Sequence, residues 1–150
     1  MTPTVRAAHP DDLPDLAALV DAYRTFYKKP SDVPACAAFF GERLARNDSV
    51  IFLAESAGAV GGFAQLYPTW TTVGLKRRWT LNDLFVAPAF RRLGLGEALV
   101  VACEAHTRAT GAQDIQLLTE HTNADAKRLY ERRGWKFDST YARYTLRVDG

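Results

Sequence analysis

At 150 residues, with 47% hydrophobic and 24% charged side chains, the chain has the make-up of a soluble globular protein, and residues 1–150 read as one domain able to bury a core. A formal net charge of +2 is too small to argue for a nucleic-acid partner, and the basic runs Lys76-Arg77-Arg78, Arg91-Arg92 and Lys127 to Arg133 read first as solvated surface. With no apolar leader and no membrane-length apolar run, a cytoplasmic protein without a membrane partner is expected. Cys36 and Cys103 have neither CxxC nor zinc spacing, so both read as reduced core thiols and no metal is expected.

In chain order, Thr2 to Ala8 predicts a short strand. Leu13, Leu16, Leu19, Val20 and Tyr23 recur at helical spacing behind an acidic first turn, so a helix follows. Lys28-Lys29-Pro30 breaks it. A second helix, capped by Ser31, is expected to run to Ala45 and stop at Asn47-Asp48. Ser49–Ser56 and Val60–Pro68 predict a hairpin around Ala57-Gly58. A loop is expected from Thr69 to Gly74, then a strand from Trp79 to Pro88 and a helix from Gly94 to about Thr110. Asp114–Glu120 predicts a further strand, and Asn123 to Gly134 a helix with those residues at its two ends. "WKFDSTYARYTLRV" predicts one or two final strands. Hairpins flanking a central strand-helix-strand unit imply a mixed sheet rather than a doubly wound one.

The stretch Arg91-Arg92-Leu93-Gly94-Leu95-Gly96 stands where a helix starts. The first amides of a helix have no internal partner and carry the positive end of its dipole. Glycines admit an anion to those amides, and arginines add forked donors for phosphate oxygens. A dinucleotide fingerprint fits poorly, because Leu99 stands where its third glycine belongs, and no Gly-Lys-Ser/Thr follows to make a P-loop. A helix start with glycines for close packing is the bland alternative.

The neighbouring residues favour a phosphate-binding turn. "LNDLFVAPAFRRLGLGEALV" and, downstream, "NADAKRLYERRGW" resemble the two linked blocks of the GNAT acetyltransferase superfamily. The first carries Arg91, Gly94 and Gly96 in the pattern Arg/Gln-x-x-Gly-x-Gly/Ala. The second carries Asn123, Ala126, Leu129, Tyr130, Gly134 and Trp135 in order. The likeness covers roughly Val50 to Tyr144, and the segment from Gln65 to Val86 resembles the small single-domain branch related to histone and polyamine acetyltransferases. It departs from the family at Glu97, where small hydroxyl residues are common, and at Asn82, where relatives often carry a Glu on the fourth strand.

The resemblance implies an α+β fold layered α/β/α, with about four helices around a mixed sheet of six or seven strands splayed between the fourth and fifth. It implies acetyl-CoA as co-substrate and no metal. Its diphosphate would lie on Arg91, Arg92, Leu93, Gly94, Leu95 and Gly96, and its pantetheine arm along the main chain of Leu84, Phe85 and Val86, with Asn123 and Ala126 nearby. Tyr130 would be the general acid for the departing thiolate. Asp83 is a candidate base or cation anchor. With a regular strand, Trp79, Leu81, Asp83 and Phe85 share one face, opposite Asn82. Each of these residues also has a plain structural reading: Tyr130 as a half-buried aromatic, Asn123 as a helix cap, Asp83 as a paired carboxylate. The acceptor would be a primary amine: a small molecule, amino acid, polyamine or protein lysine. Tyr23, Phe26, Tyr27, Tyr67 and Trp70 are candidates to line its pocket, and a homodimer is expected. A non-catalytic acyl-CoA-binding regulatory module of the same fold is the alternative.

Overall fold

A chain that alternates β-branched, aromatic and polar residues around tight turns folds into antiparallel hairpins. The computed structural model, which describes residues 2–149, has two of them in succession. After β1 (Thr4–Ala7) and two helices, β2 (Val50–Ser56) meets β3 (Ala59–Thr71) at Ala57-Gly58, where φ is 52° and 80°. β3 then returns as β4 (Lys76–Val86). This second hairpin is longer than the sequence suggests, because Pro68–Thr71 pair with Lys76–Trp79 instead of opening a loop.

The chain divides into two compact units, Met1–Leu118 and Thr119–Gly150. In the first, the strand order is β1-β2-β3-β4-β5, with β5 spanning Asp114–Gln116. Every pairing is antiparallel except that of β4 with β5, so the sheet is mixed, as expected. β5 is shorter than its apolar run, ending at Gln116 rather than Glu120.

α1 (Leu13–Phe26) and α2 (Val33–Arg46) cover one face of the sheet, and α3 (Leu95–Ala109) the other. Adjacent strand residues show this directly, since neighbours on a strand point to opposite faces. Leu53 is buried in a cluster with Leu16, Val20, Cys36 and Phe40 of α1 and α2, whereas the Phe52 ring lies 5.9 Å from that of His106 on α3. The cap of α2 is Asp32, whose carboxylate accepts from the Ala35 amide at 3.1 Å. Ser31, expected in that role, instead donates its hydroxyl to Asp21 at 2.8 Å. Both cysteines are free and buried, and burial pushes the Cys103 thiol up to about 12.

The second unit holds α4 (Ala124–Arg132). Asn123 caps it, its Oδ1 accepting from the Ala126 amide at 3.2 Å, and Gly134 closes it at φ +93°. Residues 135–149 contain neither helix nor strand, so the sheet has five strands rather than six or seven among the described residues. The expected strands rested on alternating apolar residues, but alternation supplies only a face, and a strand also needs a neighbour's backbone. Here Tyr144, Leu146 and Val148 are exposed.

His106 links the core to solution conditions. Its ring lies 4.8 Å from Trp79 as well as against Phe52, and its Nε2 is buried without a hydrogen-bond partner. Burial pushes its imidazole below the ordinary 6.5. In the unfolded chain the ring takes its proton near pH 6.5, while the folded protein resists it, so the unfolded state binds more protons as pH falls. His106 therefore favours unfolding progressively below pH 6.5 and contributes no pH dependence above it. We expect His106→Gln to flatten the loss of stability between about pH 6.5 and about pH 5. Denaturant midpoints of both proteins at the two pH values check this, and parallel losses would assign the effect elsewhere.

Candidate active site

The irregularity on which the site is built is one residue long. Gln65 of β3 faces Asp83 of β4, while the next pair along is Leu66 with Leu81, which leaves Asn82 as an extra residue, a β-bulge. The extra residue reverses the alternation along β4. Trp79 packs against His106 on the α3 face, whereas Phe85 lies 5.4 Å from Tyr23 on the α1 face. The sequence expectation that Trp79, Leu81, Asp83 and Phe85 share one face is thus corrected. So is the separation of Asn82 from Asp83, because both line one cavity and Asn82 Nδ2 donates to Asp83 Oδ2 at 2.9 Å.

This cavity, of about 390 Å³, lies within the first unit between α1, α2 and the strands β3 and β4. Its wall is aromatic: Tyr23, Phe39, Phe40, Phe63 and Tyr67. Of the aromatics expected to line an acceptor pocket, Tyr23 and Tyr67 do, whereas Phe26, Tyr27 and Trp70 do not. Trp70 instead stacks under the Arg77 guanidinium, 4.3 Å from the ring centre. Asp83 is held in the cavity by a buried relay: Ser49 Oγ donates to Gln65 Oε1 at 2.9 Å, and Gln65 Nε2 donates to Asp83 Oδ2 at 2.8 Å. Both bonds to Asp83 use Oδ2, and among the described residues no donor bonds its Oδ1. Burial, followed by the negative charge of Asp83, raises the Tyr67 phenol above its ordinary range, so that it stays a donor. Sequence reasoning missed Ser49 and Gln65. A polar pair amid two apolar strands was the available signal.

The other edge of β4 opens where β5 leaves it. The parallel pairing covers only Arg78–Thr80, fixed by a two-pronged contact from Arg78 to Asp114 at 2.6 and 2.8 Å. That guanidinium holds the Asp114 carboxyl below the usual carboxylate range. Beyond Thr80, among the described residues, the main chain of β4 pairs with no strand on this edge. Backbone direction alternates in an antiparallel pair. The Ala87 amide donates to Gly61 at 2.8 Å, so by alternation Phe85 turns its amide and carbonyl to β3, while Leu84 and Val86 turn theirs to the open edge. The Val86 carbonyl accepts there from Arg91 Nε at 3.1 Å.

The arginine-glycine turn follows directly. Phe90 anchors it by lying on Gly61, where a Cβ would come within 2.2 Å of the ring. Gly94 caps α3 at φ +85°, a conformation in which a side chain is strained. Gly96 needs no such geometry: a Cβ there would meet only Val86 Cγ2, at an ordinary 3.8 Å. A Cβ at that position is therefore not excluded by backbone conformation or by a close neighbour. Arg91 is turned back onto Val86, with its guanidinium 5.8 Å from the Phe26 ring centre. Arg92 and Leu93 are exposed, and Leu95 is buried. Glu97 is half-buried rather than free in solvent. Asn123, Ala126 and Tyr130 lie on or beside α4 in the second unit, where the half-buried Tyr130 ring stands 5.3 Å from Trp135. Among the described residues, no three His, Cys, Asp or Glu side chains gather as metal ligands, and no helix is long and apolar enough to cross a membrane.

Comparison with known proteins bears on this geometry. A model of the acetyltransferase (GNAT) family matches residues 16–135. Over 144 residues the chain is 41% identical to a Bacillus subtilis (strain 168) protein described as the uncharacterized N-acetyltransferase YhfO, covering 96% of this chain and 97% of that one. The crystal structure of a probable acetyltransferase superposes with a TM-score of 0.92 at 34% identity, covering 98% of this chain and 99% of the other. A ribosomal-protein-alanine N-acetyltransferase from Brucella melitensis biovar Abortus 2308 aligns with a TM-score of 0.79 over 97% of this chain and 99% of its own; at 18% identity it shares the fold alone.

The relay to Asp83 has a measurable cost when cut. Gln65→Leu leaves Ser49 and Asp83 without their shared partner inside a sheet where Gln65 is 1% exposed. We expect a loss of about 1–3 kcal/mol in unfolding free energy, read from denaturant titration. A loss within error of zero would show that water replaces the amide at no cost.

Proposed function

Given that the chain belongs to the acetyltransferase (GNAT) family of N-acetyltransferases, we propose that it moves the acetyl group of acetyl-CoA to a primary amine by direct attack within a ternary complex. One observation carries this reading: β4 offers Leu84 and Val86 main-chain groups at an open edge and, one residue away, the Asp83 carboxylate in a partly open cavity. One strand therefore has a side for an extended arm and a side for an acceptor. The coenzyme is a substrate here, supplying an activated thioester. The residues present suit it. The amides opening α3 and the space beside Gly96 fit a diphosphate, and the Leu84 amide fits a carbonyl oxygen on which charge develops. Because Arg91 is engaged with Val86, the turn's grip on phosphate rests mainly on backbone amides, with Arg92 adding charge.

In this reading the amine nitrogen attacks the thioester carbon, the C–N bond forms, and the C–S bond breaks. An ammonium with a pKa near 10.4 must first lose a proton; the Asp83 carboxylate lines the cavity, its Oδ1 bonded by no donor among the described residues, to take it or to pass it to water. After attack the nitrogen, now cationic, gives its second proton to water as the amide forms; the leaving sulfur takes a proton from the Tyr130 hydroxyl, and the tyrosinate recovers one from water. Tyr130 enters on the motif it fills in the sequence. The family match runs unbroken from residue 16 to 135, which supports reading both units as one N-acetyltransferase domain. Exposed Tyr141, Tyr144, Leu146 and Val148 add apolar area of the kind that association of two copies covers, and support a homodimer.

Two substitutions separate binding from chemistry. Gly96→Leu fills the space beside the first helical amides without straining the backbone. We expect acetyl-CoA affinity to fall at least about tenfold by calorimetry while the melting temperature holds. Normal affinity would remove the turn as the diphosphate site. Tyr130→Phe keeps the ring and removes the hydroxyl, so turnover, followed as CoASH release with a panel of amines, should fall about 100-fold or more with near-normal coenzyme affinity. Unchanged turnover would take Tyr130 out of the mechanism.

A further inference from the structure

The cavity beside Asp83 has a second charged group. Of its lining residues, Arg24 and Asp83 alone are ionic, one a cation from the last turn of α1 and the other an anion from β4. The remaining wall is aromatic or apolar, apart from the polar groups of Gln65, Asn82 and the tyrosines. Arg24 Nη1 is shut off from solvent with no hydrogen-bond partner, and among the described residues no carboxylate pairs with the guanidinium. Three other arginines of the first unit have charge or carbonyl partners. Arg43 pairs with Asp48 at 3.0 Å, Arg78 with Asp114, and Arg91 with the Val86 carbonyl. A guanidinium with a nitrogen buried and unpaired is costly, because it gives up hydration and gains no compensating bond. Nη1 itself is enclosed by protein, so an anionic ligand would reach Arg24 through the part of the side chain that lines the cavity and there supply the charge partner that the guanidinium lacks.

The two charges suit the two ionic groups of one small molecule. Asp83 suits the ammonium that must lose its proton, and Arg24 suits an anionic group on the same molecule. A planar guanidinium matches a carboxylate by two parallel bonds. A polyamine, cationic at both ends, would set a positive charge against Arg24. A carboxylate-free aliphatic amine would leave it unpaired. Building on the acetyl-transfer reading, we propose that the acceptor is a free amino acid with an apolar or aromatic side chain, its carboxylate held by Arg24, its amine turned to Asp83, and its side chain against Phe39, Phe40 and Phe63. A cavity of about 390 Å³ accommodates one such molecule and no folded protein surface. Arg24 is then the residue that sets specificity, acting on substrate binding rather than on bond cleavage.

The test compares matched pairs: L-phenylalanine, L-leucine and L-methionine, each beside the amine it becomes on decarboxylation, with acetyl-CoA and CoASH release as the signal. For the wild-type protein, kcat/KM is expected to favour at least one amino acid over its amine by about 30-fold or more. In Arg24→Gln that preference should shrink by a similar factor, through KM, and Arg24→Lys should retain part of it. Melting curves confirm that each variant is folded. Equal use of amino acid and amine by the wild type, or equal loss of both in a folded Arg24→Gln, overturns the proposal. Should acetyl-CoA bind yet no compound of either kind be acetylated, the transfer reading is what suffers, and calorimetry of the same amino acids decides the subsite. Binding to the wild type that Arg24→Gln abolishes upholds the carboxylate site, and no binding to the wild type refutes it.

Discussion

One extra residue in β4 decides which way the working groups of this protein point. Opposite Gln65 the strand carries Asn82 and Asp83 where a regular ladder would carry one residue. Before the bulge, Trp79 packs on α3; after it, Phe85 packs on α1, and Asp83 enters the cavity between them in sequence. Had the strand stayed regular, the Asp83 carboxylate would press into the apolar face beneath α3, where an unpaired charge is costly. The buried amide of Gln65 answers the bulge from the neighbouring strand, bonding Asp83 on one side and Ser49 on the other. The same strand gives up its partner on the far edge after only three pairs with β5. Bulge and early divergence together give a short segment of backbone one chemically distinct environment on each side.

The distribution of positive charge follows from this. Three arginine-containing runs in the sequence suggest a basic surface, and in the structure most of the first two turn inward to local partners. Arg77 lies over Trp70 and Trp79, Arg78 grips Asp114, and Arg91 bonds the Val86 carbonyl. Such contacts position strands and turns, while Lys76 and Arg92 stay exposed. An anion at the start of α3 meets mainly backbone amides, which are fixed in place and lose no side-chain entropy on binding.

Much of this was legible in the sequence, and the parts that were not have a common physical origin. Helices announced themselves through apolar spacing and end groups: Asn47 closes α2, Asn123 caps α4 and Gly134 ends it, each a local preference read from one or two residues. The turn at Gly94 was equally local. What escaped was non-local. The bulge at Asn82 arises from the fit of β4 to β3, and no feature of β4 alone signals it. Gln65 reads as a stray polar residue until Ser49 and Asp83 are brought beside it from 16 and 18 residues away. Arg24 reads as the basic end of a helix until α1 is laid over the sheet. The final strands failed for the converse reason, since a periodic segment was taken as a strand with no partner edge in evidence.

Four positions that break local economy lie beside the two sides of β4. Arg92 holds φ at +63°, uncommon for a residue with a long side chain. Gly96 forgoes helix propensity with no steric reason inside the fold. Asn82 interrupts a ladder, and Arg24 keeps a buried nitrogen unpaired. Exceptions occur elsewhere in the first unit too: Lys28, Ala57 and Leu75 hold positive φ at turns, β2 carries a bulge at Ala54-Glu55, and His106 Nε2 is buried without a partner. The core around them follows ordinary rules, with Leu53, Phe63, Leu66 and Leu99 fully enclosed, and Asp12 and Asp114 have their arginines. The four beside β4 are distinguished by what they adjoin rather than by being alone. Two of them border the open edge and the turn after it, and two border the cavity. Under the proposed function these positions cost stability in return for room for one ligand along the strand and a second beneath it, the acetyl transfer being proposed where the two environments join.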